Sequence, residues 1–238
     1  MKAMILAAGL GTRLKPFTDE HPKALATING KSLLQRNIEY LASFGITYVI
    51  VNVHHFSEQI TDLIKKNKGF GSNLTISDEK DEVLETGGGL MKARPFFQNN
   101  EPFVLMNVDI LTDMDISKMM EQHNSSKVLA TLAVTNRTTS RYFLFNELEA
   151  LCGWRNIKTG DQKISRESPE YFQKAFSGIH IISPAIFPLI KMTGKFSMVD
   201  VYLQLCKTHT IMGFDHSTSK FIDVGKPESI AIAEEIFS

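Results

Sequence analysis

Met4-Ile5-Leu6-Ala7-Ala8-Gly9-Leu10-Gly11-Thr12-Arg13-Leu14 lies near the start of the chain, with Pro16, Thr18 and the pair Pro22-Lys23 following closely. An apolar run of strand type stops abruptly at two small residues and two glycines. Such a run reads as a buried parallel strand, and ligands of open α/β sheets sit at the carboxyl ends of those strands. Gly9 and Gly11 can take backbone angles that a side chain forbids. With no Cβ in the way, a flat base or a phosphate chain can lie against bare N–H groups. Arg13 adds a fixed fork of donors suited to phosphate oxygens, and Lys23 adds a movable point charge.

Two familiar phosphate motifs do not fit. Leu14 stands where the dinucleotide fingerprint needs its third glycine, and no Gly-Lys-Ser/Thr closes a phosphate loop. Glycine turns after a first strand also serve chain geometry alone. The combination Gly-x-Gly-Thr-Arg with Pro-Lys downstream is more specific and points to phosphate binding.

Composition narrows the classes. The 238 residues suit one large α/β domain or a domain with a small lobe. Lys+Arg and Asp+Glu balance at 26 each, which gives no field to draw in nucleic acid or a membrane surface. The two cysteines, Cys152 and Cys206, have no metal-like spacing and read as buried thiols of a reducing compartment. The run Ala3–Ala8 is too short for a signal peptide, and no stretch is long enough to span a bilayer. A cytoplasmic protein, monomeric or a small homo-oligomer, is expected.

Along the chain, Ser32–Phe44 has helical apolar spacing with a serine cap and Gly45 after it. Ile46–Val53 is a β-branched strand ending in His54 and His55, which either line a cleft or bond to loop backbone. Ser57–Asn67 reads as a helix and Leu74–Ser77 as a short strand. Glu85-Thr86-Gly87-Gly88-Gly89 then opens another helix. Glycines at a helix start leave bare N–H groups at a positive dipole end, so this loop is expected to form a second nucleotide wall. Asp78 and Glu79, just upstream, are acceptors that can read a base N–H.

Pro102–Asn107 is a strand that runs into Asp109. A carboxylate there is expensive unless it is paired or holds a metal, and magnesium suits one or two carboxylates plus phosphate oxygens. Asp115 is a cap for the helix Ile116–His123. Val128–Thr135 is a central strand. Asn136–Gln173 reads as short strands and turns, a lobe or flap that carries Arg137, Arg141 and Trp154. Phe176–Ile182 returns to the sheet, with Gly178 allowing close approach within a strand. Pro184–Ile190 and Met198–Cys206 are expected helices, Thr210–Phe214 a short strand. Phe221-Ile222-Asp223-Val224-Gly225 puts a second acid at a strand end.

The pattern Ala-Ala-Gly-x-Gly-Thr-Arg-Leu-x-Pro-x-Thr…Pro-Lys resembles the signature of the sugar-1-phosphate nucleotidyltransferases, or nucleotide-sugar pyrophosphorylases. Thr-Gly-Gly-Gly, Asp109, Phe-Ser-Gly and Asp-Val-Gly follow in family order. The likeness is to the single-domain N-acetylmuramate-1-phosphate uridylyltransferases and mannose/heptose-1-phosphate guanylyltransferases, with no C-terminal β-helix or acyltransferase extension expected. It implies an α/β fold: a Rossmann-like, mostly parallel mixed sheet flanked by helices, with a small β-rich sugar-binding lobe. Residues 1–238 would form one domain, 1–135 its nucleotide-binding half and 136–238 its sugar-binding half.

The resemblance also assigns roles. Arg13 and Lys23 are catalytic. Ala7, Ala8, Gly9, Gly11, Thr12, Glu85, Thr86, Gly87 and Gly88 bind nucleotide. Asn107 and Gly178 are sugar-side candidates, and Asp109 and Asp223 hold Mg2+. Asp200, read from the helix alone, is a third sugar-side candidate that either faces the substrate or sits on a polar face. The implied reaction is nucleotidyl transfer from a nucleoside triphosphate to a sugar 1-phosphate, with UTP favoured and GTP next. Cytidylyl transfer to a phosphorylated alcohol and a non-catalytic nucleotide-sugar-binding regulatory protein are the alternatives. Two departures stand out: Lys226 replaces the family threonine, and Gly30-Lys31-Ser32 replaces a common Lys-Pro.

Overall fold

A computed structural model describes all 238 residues, Met1–Ser238. Strand β1 (Lys2–Leu6) leads into the glycine loop. A tight hairpin of β2 (Thr27–Ile28) and β3 (Lys31–Ser32) precedes α1 (Leu33–Ser43), and the Ser32 hydroxyl accepts from Gln35 N–H as its cap. Next come β4 (Tyr48–Val53), α2 (Ser57–Lys66), β5 (Asn73–Asp78) and α3 (Glu85–Ala93). Then β6 (Phe103–Asn107), β7 (Ile110–Thr112) and α4 (Ile116–Ser126) follow, α4 being capped by Asp115 as expected.

The remaining elements are β8 (Ala130–Thr135), β9 (Arg141–Phe145), β10 (Leu151–Asn156), β11 (Gln162–Ile164) and the long β12 (Phe172–Ile182). After them lie α5 (Met198–Leu205), β13 (Ile211–Asp215), β14 (Phe221–Asp223) and α6 (Glu228–Ile236). The expected helix at Pro184–Ile190 is a 3-10 turn over Pro184–Leu189, because Pro188 lacks the N–H that an α-helix would use.

Ten strands form one mixed sheet. Its N-terminal part is parallel, in the order β5-β4-β1-β6, and β12 joins β6 antiparallel. The chain builds β4 and β5 on one side of β1 and then crosses to place β6 on the other. That reversal is a topological switch point, where an α/β sheet opens a crevice at its strand ends. In register, Leu6 faces Asn52 on one side and Asn107 on the other.

The segment read as a lobe is an extension of the same sheet, with β9, β10, β11 and the first half of β12 paired antiparallel. Trp154 packs against the apolar core. In β12, Gly178 has φ +74°, and the pairing with β8 jumps from Phe176↔Val134 to His180↔Leu132 around it. This is a bulge that only a residue tolerant of positive φ forms cheaply.

Side chains alternate along β1, so Ala3 and Ile5 feed one core while Met4 and Leu6 feed the other. The first core packs α1, α2, α4 and α6 on one sheet face through residues such as Leu41, Ile60, Met119 and Ala233. The second packs α3 and α5 on the other face, with the stacked rings of Phe97, Phe103 and Phe187 beside them. Buried within it, Tyr202 hydroxyl and His180 Nδ1 share a hydrogen bond of 2.6 Å. No helix is long and apolar enough to cross a membrane.

Candidate active site

The glycine loop rests on residues of its own signature. Gly11 is left-handed at φ 62°, and a Cβ there would lie 2.8 Å from Thr18 Cγ2 and 3.2 Å from Lys23 Cβ. The Thr18 hydroxyl donates to Gly11 O at 2.9 Å, so threonine and lysine hold the turn from beneath. A Cβ on Gly9 would meet nothing within 4 Å, so no protein neighbour demands a glycine there. Bare backbone facing open space is what close approach by a base or phosphate requires.

Two carboxylates meet beside this loop. Asp109 follows β6, and Asp223 ends β14, which pairs with β7 so that Asp223 lies opposite Ile110. Val224 N–H donates to the Asp109 carbonyl at 2.8 Å and ties the two turns together. Lys23, nearly buried behind Pro22, forms an ion pair with Asp109 Oδ2. Gly225 leaves room for the rest: a Cβ on it would sit 2.6 Å from Asp223 Oδ1 and 2.8 Å from Arg13 Nη2. Arg13, Lys23, Asp109 and Asp223 therefore converge on one place.

Burial raises the Asp223 carboxyl above its ordinary value, and the neighbouring Asp109 adds to the rise; Lys23, Arg13 and Arg137 oppose it. Its Oδ1 is buried with no hydrogen-bond partner. A buried orphan acceptor next to a second carboxylate wants a cation. Two carboxylate oxygens with room for phosphate oxygens and water match the donor set that magnesium takes.

The cleft has a volume of about 400 Å³, a size suited to a small-molecule ligand. Of the residues singled out by sequence, Ala7, Ala8, Gly9, Gly11, Thr12, Arg13, Lys23, Glu85, Thr86, Asn107 and Asp109 all border it. Asp223 does not line the cleft itself but sits just behind it, sharing the space at Gly225 with Arg13. Gly178 is one layer behind, where a Cβ would come 2.8 Å from Asn107 Nδ2.

Other candidates fall elsewhere. The bare N–H groups expected at Gly87 and Gly88 do not exist, since both donate to Phe196 O at 2.9 and 3.3 Å. A Cβ on Gly87 would collide with the Phe196 ring, and one on Gly88 with the Gly194 carbonyl. These glycines are buried inside α3 and let the helix pack against the 194–197 loop, so only Glu85 and Thr86 of that motif reach the cleft. Thr86 Oγ1 accepts from Met198 N–H at 2.8 Å, holding α5 in place. Asp200 is half exposed on α5 and pairs with Lys163 at 3.7 Å, away from the cleft lining.

Neither histidine at the end of β4 borders the cleft. His54 Nδ1 bonds to the Glu79 carbonyl at 2.7 Å, and His55 packs at a tilt against the Phe56 ring. Arg137 donates to Phe176 O at 2.7 Å and lies over the Phe221 ring, close enough for its charge to act on Asp223. Lys226 points to Glu228 at 3.7 Å, on the exposed surface. The sequence reading missed Asn52 and Ser197, which both border the cleft. Asn52 had left a trace, as a polar residue inside an otherwise β-branched run.

A nucleotidyl transferase family profile matches residues 2–145. The N-acetylmuramate alpha-1-phosphate uridylyltransferase of Caulobacter vibrioides is 29% identical over 243 residues, covering 98% of this chain and 95% of that relative. Mannose-1-phosphate guanyltransferase beta-A of Xenopus laevis is 30% identical over 235 residues, or 96% of this chain. The chain spans only 62% of that guanyltransferase's length. Among solved structures, HddC from Yersinia pseudotuberculosis superposes with a TM-score of 0.80 at 26% identity, over 100% of this chain and 99% of that one. A UDP-glucose pyrophosphorylase complexed with UDP-glucose shares the fold at a TM-score of 0.78, with 17% identity over 99% and 97% of the two chains. The Rossmann-like nucleotide-diphospho-sugar transferase fold expected from the motifs is thus the fold observed, and the chain belongs to the nucleotidyl transferase family.

Proposed function

We propose that the protein transfers a nucleotidyl group from a nucleoside triphosphate to a sugar 1-phosphate, releasing pyrophosphate. The observation that carries this reading is the convergence of Arg13, Lys23, Asp109 and Asp223 beside a glycine loop at the switch point of the sheet. In the reaction, an oxygen of the sugar phosphate attacks the α-phosphorus of the triphosphate, and pyrophosphate leaves from the opposite side. The attacking oxygen already carries charge at neutral pH, so the protein needs no nucleophile of its own. Its work is positioning and charge neutralisation.

Arg13 holds the β- and γ-phosphates with its planar fork. Lys23 orients the sugar phosphate and stabilises the charge that builds on the α-phosphoryl oxygens. The glycine loop presents backbone along the nucleotide, while Glu85 and Thr86 form the wall opposite. Asn107, given room by the absent Cβ of Gly178 behind it, faces the acceptor side. Asp109 and Asp223 would hold magnesium. When bound, the ion neutralises phosphate charge and polarises the α-phosphoryl group.

UTP is the proposed donor. The Caulobacter uridylyltransferase matches almost end to end, and that of Neisseria meningitidis is 38% identical over 125 residues, 52% of this chain. GTP is the second reading, favoured by the matches to mannose-1-phosphate guanyltransferases. The test is to incubate the purified protein with magnesium, each of four triphosphates and a panel of sugar 1-phosphates, and to identify products by mass. A nucleotide sugar formed in equal amount with pyrophosphate is expected, fastest with UTP. Tight binding of a nucleotide sugar with no turnover across the panel would assign a regulatory protein instead. Turnover only with CTP and a phosphorylated alcohol would assign the cytidylyl alternative.

A further inference from the structure

The cleft has two backbone walls, the glycine loop after β1 and the turn that opens α3. Three hydrogen bonds, two buried and one partly buried, run from one to the other. Ala7 N–H donates to Asn52 Oδ1 at 2.6 Å. Asn52 Nδ2 donates to Glu79 Oε1 at 2.7 Å. Leu84 N–H donates to Glu79 Oε2 at 2.9 Å. Asn52 and Glu79 are only 2% and 1% exposed, yet both border the cleft.

The chain of bonds is built with little slack. Glu79 N–H donates to Val53 O at 2.8 Å, and its carbonyl is held by His54 Nδ1 at 2.7 Å. A Cβ on Gly89 would press within 2.6 Å of Glu79 Oε1 and 2.9 Å of Asn52 Nδ2, so α3 meets the pair with bare backbone. A carboxylate accepts only, and here each oxygen has its own donor. For packing alone, apolar side chains of like volume would serve as well or better than a buried polar chain. This one ends on main-chain N–H groups of the two walls.

We propose that Asn52 and Glu79 are positioning residues that set the gap between Ala7–Gly9 and Val83–Thr86, and through it the affinity for the nucleoside triphosphate. The inference rests on the nucleotidyl transfer proposed above. A flat base held between two walls loses contact energy when the gap opens by a fraction of an ångström. The strut itself makes no hydrogen bond to Asn107 or Asp109 on the sugar-phosphate side; it ends on Ala7 and Leu84.

Donor direction supplies the test. Glu79→Gln sets an amide N–H2 against a second donor, and Asn52→Asp sets two carboxylates against each other. The double variant Asn52→Asp/Glu79→Gln reverses the middle bond and leaves oxygen acceptors for both Ala7 and Leu84 N–H. Each single variant is expected to raise KM for the preferred triphosphate by about ten-fold or more, with kcat and KM for the sugar phosphate held within about three-fold. The double variant is expected to bring the triphosphate KM back to within about three-fold of wild type.

Unchanged triphosphate KM in the singles overturns the proposal, and so does a double variant no better than they are or unable to fold. Singles that do not fold leave the double to decide, by the same KM. Should wild type release no pyrophosphate with any substrate, the transfer reading fails by itself. Calorimetric titration of UTP and GTP into the same four proteins then still reads the strut, with ten-fold weaker binding in the singles supporting it and equal binding overturning it.

Discussion

Replacing Lys23 by methionine tests the charge balance of the cleft. Lys23 is 9% exposed, and its ammonium pairs with Asp109 beside the raised carboxyl of Asp223. Methionine keeps most of the side-chain volume and removes the charge, leaving two neighbouring carboxylates with less compensation. Breaking one partner out of a buried ion pair costs about 3–5 kcal/mol. For a chain of this size each kcal/mol moves the melting temperature by about 2–4 °C, so a loss of roughly 6 °C or more is expected in EDTA. Magnesium should recover more stability in the variant than in wild type, because the ion meets carboxylates that no lysine neutralises. Catalysis does not recover with it. Losing one donor aimed at the developing charge costs about 100- to 1,000-fold in kcat. Differential scanning fluorimetry with and without magnesium, beside a pyrophosphate-release assay, measures both. A variant that melts with wild type in EDTA and turns over at the wild-type rate would refute the reasoning.

Three further outcomes follow from the fold. Gly178→Ala forces a side chain into positive φ and against Asn107; a loss of about 1–2 kcal/mol or more is expected in urea unfolding, together with a higher KM for the acceptor. Tyr202→Phe strips His180 of its buried partner, and should cost about 1–3 kcal/mol in the same assay without changing KM. Acid should weaken the whole domain, because burial pushes His123 and His216 down to about 4 and His180 down to about 3. The unfolded chain takes up those protons near pH 6.5 and the folded chain does not, so stability is full above that pH. It falls as pH drops from 6.5 toward 4, by up to about 1.4 kcal/mol per pH unit for each histidine. Unfolding free energies that stay level between pH 7 and pH 4.5 would contradict this.

Strands and cleft lining were legible where sequence and function impose the same residues. The run Met4–Leu6 with its two glycines announced both a buried strand and a bare loop, and Asp109 and Asp223 were conspicuous as acids at apolar strand ends. The triple glycine of α3 misled because a helix start and a packing seam demand the same absence of Cβ; the Phe196 ring that fills the seam comes from more than a hundred residues away. Asp200 carried no local sign of its partner Lys163 on β11. The lobe was unreadable as part of the main sheet because antiparallel extension through β9–β12 depends on long-range pairing. Asn52 escaped notice because a single polar residue in a strand shows its purpose only once Ala7 and Glu79 are seen beside it.

The central claim is that Asp109 and Asp223 act together, with Arg13 and Lys23, on one phosphate chain. Initial rates of pyrophosphate release at saturating magnesium, triphosphate and sugar 1-phosphate, for wild type, Asp109→Ala and Asp223→Ala, test it most directly. A rate in wild type that disappears in EDTA and falls about 100-fold or more in each variant is the predicted result. Wild-type rates in both variants would contradict it.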